Sequence, residues 1–203
     1  MAKSLLSRAV KECPKSGILW SEYIIRESRP QRKARSVDAL KNCDNNDPII
    51  VSTIARLFWS ERKIDKARSW FERACKLDPS YGDGWAWWLK FELEMYALES
   101  KVVESSSSGS NKISGNKIEL NRDGGLKPIS SDLKGGLHSN GENSTSNQDE
   151  PKIYEKVIDS AVLASPHLGE MWVKVAKDPK NYSLSVKEIL ELVVSSLPPP
   201  MPY

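Results

Sequence analysis

The stretch RACKLDPSYGDGW, Arg73–Trp85, decides how this chain folds. A helix-forming run ends at Asp78-Pro79, because proline lacks the N–H that a helix interior needs and restricts the residue before it. A short turn containing Gly82 follows, and a second apolar run opens on Trp85. The spacing is Ala, four residues, Pro, five residues, Trp, with a glycine three before the Trp. The same spacing recurs in RAVKECPKSGILW as Ala9, Pro14 and Trp20, and in SAVLASPHLGEMW as Ala161, Pro166 and Trp172. In each copy the reading is helix, turn, helix. The Trp fills the groove between neighbouring helices, and the small Ala lets their backbones approach. Ala74, Pro79 and Trp85 hold the same places in the central copy.

A degraded copy keeps the register at Ala39, Asp44 and Ile50, and Asp47-Pro48 then supplies an N-cap and a first-turn proline for the next helix. Registers begin at Ala9, Ala39, Ala74 and Ala161. The first two intervals are 30 and 35 residues, the size of one helix–turn–helix repeat. The third is 87 residues, and the excess matches a low-complexity stretch inside one repeat. Residues 99–151 are rich in Ser, Asn, Gly and Lys, and 100–150 hold no Trp, Tyr, Phe or Cys. Such a segment buries too little apolar surface to offset its ordering entropy and is predicted to be disordered. The reading is therefore all-α, a superhelix of helical hairpins with a long disordered insertion. Repeats occupy 1–98, the insertion 99–151, a final repeat and closing helix 152–196, and a proline-rich tail 197–203. Helices are predicted over 2–13, 17–28, 31–43, 48–60, 64–77, 83–98 and 168–177. Another starts near Pro151, and a last one is capped by Ser183. Arg29-Pro30 is read as a turn, and PPPMPY as extended and polyproline-like.

Composition excludes several classes. A net charge of +3 is too small to argue for nucleic acid by itself. Three cysteines, Cys13, Cys43 and Cys75, give neither an even disulfide framework nor metal-ligand spacing. No apolar run spans a bilayer, and MAKSLLSRAVKEC lacks a signal-peptide core. Phosphate loops, nucleophile motifs and metal spacings are missing, so no enzyme, cofactor, membrane or small-molecule substrate is expected.

The second-helix signature Ala67-Arg68-Ser69-Trp70-Phe71-Glu72-Arg73-Ala74, followed by Asp78-Pro79, resembles the HAT subclass of tetratricopeptide-like repeats. Four runs are similar to the C-terminal repeat array of the pre-mRNA-splicing factor 6 family: Pro14–Cys43, Ile54–Asp78, Gly82–Leu93 and His167–Asp178. That resemblance implies a nuclear, non-catalytic scaffold in mRNA splicing. It would be a U5 snRNP protein whose partners are spliceosomal snRNP proteins and which bridges the U4/U6-U5 tri-snRNP, meeting RNA indirectly through the complex. The alternatives are a HAT scaffold for ribosomal RNA processing or 3′-end cleavage, and a direct single-stranded RNA binder. For the last, Arg26, Arg29, Arg32, Lys33 and Arg35 straddle a predicted hairpin turn and could meet phosphates. Trp87 lies off the face shared by Trp85, Trp88 and Phe91, so its ring is predicted to be exposed for base stacking. The bland readings are a solvated turn and a repeat core.

Overall fold

A computed structural model describes residues 2–44, 46–107 and 151–201. The chain divides into two units, one formed by Met1–Ser100 with Pro151–Tyr203 and the other by Lys101–Glu150. All regular structure among the described residues is helical. The helices are α1 Ala2–Glu12, α2 Gly17–Arg26, α3 Arg29–Asn42, α4 Pro48–Ser60, α5 Ile64–Leu77, α6 Gly82–Ser107, α7 Ile153–Ala164, α8 Glu170–Ala176 and α9 Val186–Ser196. A 3₁₀ turn at Pro179–Asn181 links the last two.

Several boundaries differ from the sequence expectation. Arg29-Pro30 is not a turn; it forms the first turn of α3, where a missing proline N–H costs nothing. The helix expected over 83–98 runs on to Ser107. The last helix is capped by Ser185 rather than Ser183, with Glu188 closing a capping box. The disorder expected for the insertion falls, over 108–150, outside the described residues.

In the first two copies the six-residue step from proline to tryptophan has a physical cause. The indole N–H of Trp20 donates to the Pro14 carbonyl at 2.8 Å, and that of Trp85 donates to Pro79 at 2.9 Å. Each ring reaches back across the turn and satisfies a carbonyl of the turn itself, two residues past the end of the preceding helix. Trp20, Trp85 and Trp172 are all buried, as are Ala74 and Ala161, while Ala9 is half-buried. Pro166 is buried, and Pro14 and Pro79 lie at the surface.

The turns themselves bind one another. Leu168 N donates to Ser80 O at 2.9 Å, and Gly82 N donates to Leu168 O at 2.7 Å. The turn before Trp85 is thereby joined to the turn before Trp172, so adjacent copies stack in one register. A Cβ on Gly82 would collide with the Trp172 ring. Gly82→Val is therefore expected to lower stability by about 1–3 kcal/mol through overpacking, read by urea denaturation. Gly169 has φ +118°, and a Cβ there would press on the Asp83 carboxylate. That carboxylate accepts from Met171 N at 3.1 Å and Trp172 N at 2.7 Å, so Asp83 of α6 caps α8. Burial holds the Asp83 carboxyl above its usual range, an effect that these backbone N–H groups oppose.

Two apolar clusters meet at α4. One gathers Val10, Trp20, Tyr23, Ile24, Ala39, Ile50 and Ile54. The other centres on Trp59, Phe71 and Phe91, whose ring centroids lie 5.5–6.4 Å apart, and extends to Trp172 and Leu190. Helix α4 is buried along nearly its whole length. Most of its polar members are matched, the buried Ser52 hydroxyl being an exception. Thr53 Oγ1 donates to the Ile49 carbonyl, so at the 2.7 Å Ser21–Thr53 contact the Ser21 hydroxyl is the donor.

Candidate functional site

The helix α4 reads PIIVSTIARLFWS, and Arg56 is its single charge. A lone cation in an apolar helix needs a reason, and its surroundings give one. The guanidinium lies 3.8 Å from the centre of the Trp87 ring on α6. Its Nε donates to the Pro200 carbonyl at 3.0 Å. Burial lowers the Arg56 pKa to about 10, with Tyr81 and Glu22 acting in the opposite sense, so it stays charged at neutral pH. One helical turn along α6 from Trp87, Lys90 Nζ donates to Leu197 O at 2.6 Å and to Pro198 O at 3.2 Å.

These contacts seat the segment Leu197–Met201 in a groove between α2, α4 and α6. Leu197 has φ −66° and ψ 137°, polyproline-II geometry, and the chain bends at Pro200 and Met201. Leu197 and Met201 are both buried. Met201 shares a cavity wall with Trp59, Ile64, Met95 and Leu98. Sequence reasoning flagged the proline run but not its docking, and it missed Arg56 and Lys90. The isolated charge within α4 was the available signal.

The exposure expected of the Trp87 ring is not found. Trp87 is only 6% exposed, because α4 and the 197–201 segment cover the side of α6 that the single-face argument assigned to solvent. The basic cluster also splits up. Arg32 is buried, and it donates to Glu27 O at 3.0 Å and Ile25 O at 3.3 Å. It therefore closes the carbonyl end of α2 instead of facing outward, and burial together with the charge of Arg29 lowers its pKa. Arg26 is ion-paired with Glu22 at 2.9 Å, one turn away. Arg35 pairs with Asp38 at 3.0 Å and lies over the Tyr23 ring. Arg29 and Lys33 are exposed and remain available to a partner.

No family model matches the chain. Individual proteins do. It is 35% identical to pre-mRNA-processing factor 6 of Homo sapiens over 170 residues, 84% of this chain and 12% of that protein. It is 33% identical to pre-mRNA-splicing factor prp1 of Schizosaccharomyces pombe over 195 residues, 96% of this chain and 16% of that protein. The chain belongs to the pre-mRNA-processing factor 6 family. A shorter run of 66 residues is 52% identical to Protein STABILIZED1 of Arabidopsis thaliana, covering 32% of this chain and 6% of that protein. The chain thus spans less than a fifth of the length of these relatives.

Within this family member, the residues that carry the HAT resemblance sit at the centre of the packing. Ala67, Phe71 and Ala74 are fully buried on one face of α5. Trp70 packs edge-on against Phe58 at 5.7 Å, with the Arg73 guanidinium over its ring. Arg68 makes a two-pronged bond to Glu92 on α6, at 2.7 and 2.9 Å. Among the described residues no helix is long and apolar enough to cross a membrane.

Proposed function

We propose that this chain is a non-catalytic helical-repeat scaffold in pre-mRNA splicing. It acts in the nucleus through protein–protein contacts that help assemble or bridge the U4/U6-U5 tri-snRNP. The observation that carries this is the match, over 84–96% of the chain, to proteins named for pre-mRNA processing and splicing. The mechanism is binding by shape. Hairpins locked turn to turn present a fixed surface, and partners lie along it without bond making or breaking. Exposed cations such as Arg29 and Lys33 select acidic surfaces at the rim.

Co-precipitation of the tagged chain from nuclear extract tests the reading. The expected result is joint recovery of U4, U5 and U6 RNAs with snRNP proteins. Recovery of ribosomal RNA precursors or 3′-end cleavage factors instead would assign the scaffold to another assembly.

A further inference from the structure

The groove that holds Leu197–Met201 has the properties of a peptide receptor. A proline run offers carbonyl acceptors but no amide donors. The groove answers with donors that cannot accept, Arg56 and Lys90, and these engage the carbonyls of Leu197, Pro198 and Pro200. A polyproline-II ligand is already extended, so it loses little freedom on docking. Trp87 supplies a rigid ring that fixes the Arg56 guanidinium. Met201 supplies an apolar anchor at one end of the seated segment.

The seated residues do not fill the space. One cavity of about 700 Å³ is lined by Pro198 and Pro199 and continues past Ile18 and Pro48. Another of about 840 Å³ is lined by Pro200 and Met201 and continues toward Lys3 and Arg29. A ligand longer than the chain's own segment would fit the same track in both directions.

We propose that this groove receives a proline-rich, extended segment of another protein, and that Leu197–Met201 occupies it in cis as the competing ligand. Tethering gives the internal segment a high effective concentration, so a partner of modest affinity enters only when that segment is displaced. The inference stands apart from the splicing role, because it is read on the purified chain.

The probe is a fluorescent peptide of sequence SSLPPPMPY, titrated by anisotropy into the full chain and into a Pro199→Gly, Pro200→Gly, Met201→Gly variant of it. The variant is expected to bind the probe about ten-fold tighter than the unaltered chain, its own segment no longer competing. Adding Lys90→Ala is expected to weaken that binding by about five-fold, since it removes the donor to two ligand carbonyls. Equal binding by the two chains, with unchanged far-UV circular dichroism, would overturn the proposal and leave the segment a structural cap. So would displacement of the probe by oligouridylate, which would make the groove a nucleic-acid site. Should the triple variant lose helicity, Met201→Ser alone is read in the same way.

Discussion

Trp85→Ala is expected to cost about 3–5 kcal/mol of stability, the range for truncating a large buried aromatic. In a unit of this size that lowers Tm by roughly 6–20 °C. Three losses combine. The ring is buried, it stacks on Trp88 at 5.8 Å, and its N–H satisfies the Pro79 carbonyl. Trp85→Phe separates these contributions. It keeps most of the apolar area and leaves the carbonyl without its donor, so a loss nearer 1 kcal/mol is expected for the hydrogen bond. Trp20 makes the same bond to Pro14, and Trp20→Phe should show a similar increment. A melt unchanged by Trp85→Ala would refute the role of the repeat tryptophan as the plug between helices. Comparable phenylalanine effects at both positions would confirm that one recurring bond maintains the proline-to-tryptophan spacing in these two copies.

That spacing was legible in the sequence, but its cause was not. Periodicity places Trp85 inward and Pro79 at a helix end. The bond between them depends on how the turn folds back, which local pattern does not encode. Helices α4 and α5 were legible to the residue, because Asp47-Pro48 and the Asp78-Pro79 stop are local signals. Trp87 was not. A one-stripe reading of an amphipathic helix assumes that the opposite side meets water, yet α6 is covered on a second side. The cover includes a segment 107 residues or more away in sequence, tied down through Lys90 and Arg56. Arg32 was misread for a related reason. A basic run beside a proline suggests a solvated turn, but the proline begins a helix, and Arg32 then points back onto the carbonyl end of α2. Contacts between consecutive helices could be anticipated from pattern, whereas closure by distant chain could not.

Arg68→Ala is expected to be nearly as damaging as loss of the tryptophan, for an electrostatic reason. The Glu92 side chain is 2% exposed, and Arg68 gives it two of its hydrogen bonds, the third coming from Trp88 Nε1 at 3.1 Å. The same pairing holds the Arg68 pKa above its ordinary value. Without the guanidinium, a carboxylate remains in the core with one neutral donor, and breaking a buried pair in this way typically costs about 3–5 kcal/mol. The effect is expected to be asymmetric. Glu92→Gln leaves a 30%-exposed arginine that water can solvate, so its cost should be clearly smaller. The double variant Arg68→Ala, Glu92→Gln should recover much of the loss, because no buried anion is left. Urea denaturation of the four proteins at neutral pH completes the cycle. Equal costs for Arg68→Ala and Glu92→Gln would mean that the pair acts through packing of its aliphatic stems. The expected asymmetry would mean that the HAT-signature arginine serves to neutralise an acid between α5 and α6.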